Sequence, residues 1–361
     1  MKKFLAVLLA VVMTFALASF AMADEIDPEL IKAAQEEGVL TVYGSCEEDY
    51  LNAACDQFTK LYGIKVERQR KSTGEVPNII GEENGNPSAD VWFGGTNNPY
   101  DTAVSMGLLD NEYAPVNAAH LLSDLYKNPD GYWYGIYTGI LGFMVNKDEL
   151  ARLNLPVPES WDDLLKPEYK DLIWLSNYNT AGTAKLVVNL MLQMKGHDEG
   201  IAYLVELDKN IQIYTKSGSG PSKNVGTGQC VIGIGFLHDG ITQILDNGYD
   251  NIQLVIPKDG TACEIGPVAI FKGAKHPNAA RLFLEFALSP DCVEIADENG
   301  SYQFLVLDNA EQPAAAAEFG LTLDAVWDGY DFGKAVTDTA QNVEDVITAL
   351  GDAADDRFKT E

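Results

Sequence analysis

Basic residues are scarce in this chain: 25 Lys and Arg stand against 54 Asp and Glu, for a net charge of -29. A surface that acidic repels nucleic acid and anionic membranes at long range, so neither is expected as a partner. Cysteine is scarce as well. Cys46, Cys55, Cys230, Cys263 and Cys292 are too few and too scattered for a disulfide scaffold. On a helix over 47–61, Cys46 and Cys55 would stand roughly 13 Å apart, too far to bridge. A Cys263–Cys292 pair is compatible with the pattern, and Cys230, inside CVIGIGF, reads as a buried apolar thiol. Past residue 23 no run of roughly 20 apolar residues exists to span a bilayer. The chain also lacks a G-x-S-x-G elbow, an H-E-x-x-H pair and a Walker loop, and its G-S-G-P-S-K stretch lacks the third glycine of a dinucleotide site. No enzyme activity and no cofactor are expected.

What is present begins with a leader. Lys2 and Lys3 precede an apolar core, and Ala21-Met22-Ala23 offers a small-x-small cleavage site before Asp24. This reads as a secretory signal peptide over 1–23. No cysteine follows the core to carry a lipid, so the sequence predicts a soluble periplasmic protein. The remaining residues carry a net charge of -31 once Lys2 and Lys3 leave, and they are numerous enough for two lobes.

Short apolar runs alternate with amphipathic ones: VLTVYG (39–44), IKVERQ (64–69), ADVWFGG (89–95), then GFMVN (142–146), DLIWLSN (171–177), IQIYT (211–215) and CVIGIGF (230–236). The alternation predicts α/β architecture, a parallel sheet with helices on both faces. The chain is expected to pass between lobes near 137–142 and return near 257–267. One lobe then comprises 24–138 plus 260–361 and the other 139–259. The Ala-rich acidic tail, with helical spacing in AVTDTAQNVEDVITAL, is expected to cover the first lobe.

Ligands of such sheets bind where strand ends turn into helices. Those turns here carry Ser45, Ser72, Thr73, Thr96, Thr180, Thr183, Ser217 and Ser219, with Gly74, Gly95, Gly182 and Gly218 among them. Any one turn is explained by ordinary helix capping. Together they supply hydroxyls, closely approachable amides and helix N-termini, which can hold a phosphate dianion without any lysine.

The segments ADVWFGGT (89–96), PESWDDLLKPEYKDLI (158–173), TAGTA (180–184), YTKSGSGPSK (214–223) and GQCVIGIGFLHDG (228–240) occur in an order that resembles the periplasmic solute-binding proteins of ABC importers. The branch they resemble is the one labelled iron(III) or 2-aminoethylphosphonate binding. The resemblance implies a two-lobed, type II-like periplasmic-binding-protein fold with a ligand cleft at the hinge. It also implies a monomer that serves an inner-membrane permease and its ATPase; a sensor ectodomain stays open. Ferric binders of the family carry a tyrosine pair where this chain has Phe236-Leu237-His238-Asp239, and no further carboxylate is read in the cleft loops. No metal is therefore expected. The His-Asp pair, with Glu264 in the returning crossover, resembles the hexose-phosphate binders of the branch, which implies that His238, Asp239 and Glu264 grip sugar hydroxyls. An amine, as in 2-aminoethylphosphonate, would also suit the carboxylates. Plainer roles are open too: Asp239 as a helix cap, His238 bonding a carbonyl, and Glu264 as an exposed charge. Trp92, Phe93, Tyr137 and Tyr214 could flank a sugar or belong to the core, and His120, His197 and His276 receive no role.

Overall fold

The computed structural model describes residues 26–351 and 357–358, so the leader lies outside the described residues. Ten strands are described: β1 (Val39–Gly44), β2 (Lys65–Arg70), β3 (Val91–Phe93), β4 (Tyr134–Asn146), β5 (Ile173–Ser176), β6 (Ile211–Thr215), β7 (Ile232–Phe236), β8 (Ile252–Val255), β9 (Cys263–Ile270) and β10 (Phe304–Leu305). Described helices of nine or more residues are α1 (Pro28–Glu37), α2 (Glu48–Tyr62), α3 (Asn97–Ser105), α4 (Gly182–Lys195), α5 (His197–Asp208), α6 (Leu237–Leu245), α7 (Pro277–Ala287) and α8 (Phe332–Leu350). None is long and apolar enough to cross a membrane.

Local chemistry sets these boundaries. Asp27 accepts from the Glu29 amide and Pro28 opens α1, while Gly38, at φ +70°, closes it by donating to Ala34 O. Asp331 caps α8 through the Lys334 amide. Central strands are buried along their whole length, as β4 and β9 are, whereas β2 alternates exposed and half-buried residues as an edge strand does.

The strand order is β2-β1-β3-β9-β4-β7-β5-β6, with β8 and β10 also on β4. Only part of this matches the parallel sheet expected from the alternation. β1 pairs in parallel with β2 and β3, and β5 with β6 and β7. β4 and β9, however, run antiparallel to their neighbours. They carry the chain out and back between the halves, so they cannot be crossover-linked neighbours. β4 serves both halves: Tyr134–Ile140 pairs with β9, and Leu141–Val145 with β7.

One apolar core gathers Leu40, Val42, Phe58, Phe93 and Phe283 on the first half. Another gathers Phe143, Trp161, Leu175, Val187, Leu204 and Ile234 on the second. Helix α8 joins the second through Ala335, Val343 and Val346 and packs chiefly on α4 and α5. The expectation that the tail covers the first lobe is therefore corrected. An apolar stripe shows that a helix packs, and not on what. All five cysteines are free and buried, which sets aside a Cys263–Cys292 bridge.

Candidate functional site

The strands deliver their loops to one cavity between the halves, with about 430 Å³ of free space when the part open to solvent is counted. Of the fifteen residues picked from the sequence, thirteen line it: Ser45, Ser72, Thr73, Gly95, Thr96, Gly182, Thr183, Ser217, Gly218, Ser219, His238, Asp239 and Glu264. Gly74 and Thr180 do not. The Gly74 amide donates to Thr180 O at 3.1 Å, and Thr180 Oγ1 donates to Lys216 O at 2.7 Å. The first bond joins the halves and the second lies within the second half, so these groups are engaged away from the cavity.

The lining forms two neighbourhoods. The first is a wall of hydroxyls and amides. Trp92 Nε1 donates to Ser45 Oγ at 2.9 Å and so fixes that hydroxyl, while Ser217 Oγ and Ser219 Oγ lie 3.2 Å apart. Thr96 is the residue before α3, yet its side chain makes no capping bond, and its buried Oγ1 has no protein partner. It faces the first turn of α4 so closely that a Cβ on Gly182 would lie 1.8 Å from it, so residue 182 must be glycine for the halves to meet there. The Gly95 amide, expected to face a ligand, instead donates to Tyr137 Oη at 2.7 Å.

The turns were expected to hold a dianion without any lysine, and no described lysine lines the cavity, but an arginine does and a lysine stands close by. Arg70 lines the cavity, its Nε donating to Cys46 O at 2.9 Å. Lys185, in the first turn of α4, packs toward Gly74, and burial pushes its pKa down to about 8, so it stays protonated at neutral pH.

The second neighbourhood surrounds one imidazole. His238 Nε2 lies 3.7 Å from Glu264 Oε1, 3.9 Å from Asp239 Oδ1 and 4.0 Å from Glu47 Oε1. Phe236 stacks on the ring at 5.5 Å. Gly139 on β4 makes room for it, since a Cβ there would lie 2.4 Å from His238 Nδ1. That nitrogen is buried without a partner.

The plain readings fail on this geometry. His238 binds no carbonyl, Asp239 makes no cap, and Glu264 is 3% exposed. Glu47 was missed altogether, although it stands two residues beyond Ser45 in GSCEED. Its Oε2 accepts from Ser301 Oγ and Gln303 Nε2, both at 2.8 Å.

Protonation follows from burial. His238 is held at about 4 by burial, against the pull of Glu47, so its ring is neutral at pH 7. Burial, then the Glu47 charge, push the Asp239 carboxyl well up, and burial with Glu47 and Asp239 does the same to Glu264. Burial also acts on Glu47, but His238 and hydrogen bonds from Asp239 and Ser301 outweigh it and hold this carboxyl below the usual range. With the ring neutral at pH 7, the hydrogen bonds carry that direction. The cluster thus sets one carboxylate and a neutral imidazole beside two carboxyls that burial biases toward the protonated form, a set that both donates and accepts. Glu47, His238 and Asp239 also offer ligand atoms within 4.8 Å of one another, which suits a metal ion. Of the aromatics considered, Tyr137 lines the wall, while Trp92, stacked on Tyr100 at 3.6 Å, Phe93 and Tyr214 are core.

Comparison with known proteins agrees with this architecture. Residues 86–320 match the family model described as bacterial extracellular solute-binding protein. An uncharacterized protein of Haemophilus influenzae is 36% identical over 292 residues, 79% of this chain and 83% of that one. An Fe(3+)-binding periplasmic protein of Serratia marcescens is 28% identical over 284 residues, 76% of this chain and 81% of that one. Among solved structures, the periplasmic binding protein AfuA from Actinobacillus pleuropneumoniae, with exogenous fructose-6-phosphate bound, superposes with a TM-score of 0.82 at 32% identity, covering 87% of this chain and 99% of that one. The chain belongs to the bacterial extracellular solute-binding proteins, the periplasmic solute-capturing components of ABC importers.

Proposed function

We propose that this protein captures a hexose monophosphate such as glucose 6-phosphate and closes its two halves on it for delivery to an inner-membrane permease and its ATPase. The observation that carries the reading is the joint lining of one cavity by an anion wall and a neutral donor–acceptor cluster. Ser45, Ser72, Thr73, Thr96, Thr183, Ser217, Ser219 and Arg70 take the phosphate, aided by the amides of Gly182 and Gly218 and by the N-termini of α3 and α4. His238, Asp239 and Glu264 take the sugar hydroxyls, with Glu47 behind them. The sugar-phosphate-bound neighbour at 32% identity supports the ligand class. Residues 24–138 plus 260–331 and residues 139–259 act as the two closing lobes, with α8 seated on the second, and a ligand that touches both favours the closed form by its differential affinity. The wall residues come from both halves, which is what such closure needs.

Calorimetric titration of the mature protein with glucose 6-phosphate tests this, with 2-aminoethylphosphonate and ferric citrate as comparators. Sub-micromolar binding of the sugar phosphate alone is expected; silence for it overturns the reading. In an Asp239→Ala variant, inorganic phosphate should bind unchanged while the sugar phosphate loses about 1 to 3 kcal/mol, the cost of leaving a buried polar partner unpaired.

A second reading has its own observation. Ferric iron was set aside because the tyrosine pair is missing and no further carboxylate was read in the cleft loops, and Glu47 removes the second of these grounds. Heat from ferric citrate alone would select iron as the cargo, held by Glu47, His238 and Asp239.

A further inference from the structure

Helix α8 supplies no described residue to the cavity lining, yet it ties together α4, whose first residues line it, and α3, which begins one residue past Thr96. Thr339, on α8, is 4% exposed. Its hydroxyl accepts from Asn98 Nδ2 at 3.0 Å and from Asn189 Nδ2 at 2.6 Å, and donates to Ala335 O. A hydroxyl has one proton and two lone pairs, so this one is fully used. Asn98 also reaches Ala335 O at 3.3 Å, and Asn342 Nδ2 donates to Asn189 Oδ1 at 3.1 Å.

The partners are placed tellingly. Asn98 stands two residues past Thr96, in the first turn of α3 and on the first half. Asn189 stands two turns into α4, whose opening residues Gly182 and Thr183 line the cavity on the second half. Both asparagines are buried, at 2% and 0% exposed. Since α8 packs chiefly on α4 and α5, it rides with the second half, and the Asn98–Thr339 bond crosses between the halves. A buried, satisfied polar node specifies one arrangement, because any shift leaves amides unpaired.

We propose that Thr339 is a positioning residue for ligand capture: the Asn98–Thr339–Asn189 chain sets the register between the N-termini of α3 and α4 and forms as the cleft closes. Closure is then stabilised by a contact that the ligand never touches. This rests on the closing reading given above.

The experiment compares the mature wild type with Thr339→Val, which keeps the shape and removes the hydroxyl, and with Thr339→Ser, which keeps the hydroxyl. Each is titrated with glucose 6-phosphate, with dissociation rates and melting curves recorded alongside. Thr339→Val should bind about tenfold more weakly, the effect of one lost buried hydrogen bond, with the loss in the dissociation rate, and Thr339→Ser should restore binding. Unchanged affinity in Thr339→Val overturns the proposal. So does an equal loss in both variants that follows melting temperature, since that marks a merely structural residue. If the wild type binds 2-aminoethylphosphonate or ferric citrate instead, the hexose phosphate reading fails, and the same valine-to-wild-type ratio is read on that ligand.

Discussion

The hydroxyl and amide wall of the cavity draws one to three residues from each of five loops, whereas the acid cluster packs Glu47, Asp239 and Glu264 within 4.0 Å of a single nitrogen of His238. Members of the wall are short side chains and backbone groups, each worth little alone. Members of the cluster set one another's protonation, so each affects the rest. A wall of this kind holds any phosphoryl group whatever it is attached to. A cluster of this kind decides what the attachment is. On the proposed reading, general affinity and specificity reside in different neighbourhoods, and the two should answer differently to substitution.

The largest effect is expected where the wall depends on absent atoms. In Gly182→Ala the new Cβ would lie 1.8 Å from Thr96 Oγ1 and 3.0 Å from Thr96 Cβ. Closing the halves over that contact costs about 3 kcal/mol, at the upper end for overpacking, or roughly a hundredfold in affinity. Inorganic phosphate and sugar phosphate should suffer alike in calorimetry, with the melting curve little changed. A loss confined to the sugar phosphate would break the comparison.

Next comes the cluster. Burial and the neighbouring charges of Glu47 and Asp239 push the Glu264 carboxyl well up, toward its protonated form, so an amide should imitate it. Glu264→Ala should lose about 1 to 3 kcal/mol of sugar phosphate affinity by leaving buried partners unpaired, while Glu264→Gln should stay within about threefold of wild type. Equal loss in both would show that the carboxylate, and with it a cation, matters there.

The same protonation gives a pH dependence of definite sign. Burial raises the Asp239 and Glu264 carboxyls in the folded protein, so they hold their protons to higher pH than free carboxyls do and lose them as pH climbs. The added negative charge lies beside a bound phosphate, and affinity should fall on the alkaline side. A phosphate monoester has its second ionisation near 6 and inorganic phosphate roughly one unit higher, so the comparison is made well above pH 7, where both ligands are dianions. The ratio of the two dissociation constants, sugar phosphate over inorganic phosphate, therefore isolates the cluster and should rise with pH. A flat ratio would place the effect outside it.

Much of the wall was legible in the sequence, because its signal is local. A Ser, Thr or Gly between an apolar run and a helix marks a strand end, and strand ends of α/β sheets converge. Thr96 and Gly182 were found that way although 86 positions separate them. What stayed hidden was pairing. The bond between the Gly74 amide and Thr180 O, and that between the Gly95 amide and Tyr137, depend on which loops touch, and no periodicity reports it. Arg70 ends an exposed edge strand and reads as solvated until β1 and β2 place it against the Ser45–Glu47 loop. Glu47 was visible but masked by two acidic neighbours, Glu48 and Asp49, that are exposed. The antiparallel run of β4 and β9 and the seat of α8 were not legible either, since an apolar stripe carries no address.

The smallest effect sharpens the comparison most. Ser217 is half-buried, and its Oγ lies 3.2 Å from that of Ser219, so Ser217→Ala removes one neutral hydroxyl while its neighbour stays in place. A neutral hydrogen bond contributes about 0.5 to 1.5 kcal/mol, and the remaining hydroxyls and amides of the wall can shift toward the phosphate. The expected loss is about threefold to tenfold, equal for inorganic phosphate and for the sugar phosphate, with an unchanged pH ratio. If the sugar phosphate alone weakens, Ser217 touches the sugar, and the border between the two neighbourhoods runs through the 217–219 loop instead of along the 236–239 turn. If both ligands weaken together, the phosphate site is a sum of small, exchangeable donors, and its tolerance to substitution follows from that arithmetic.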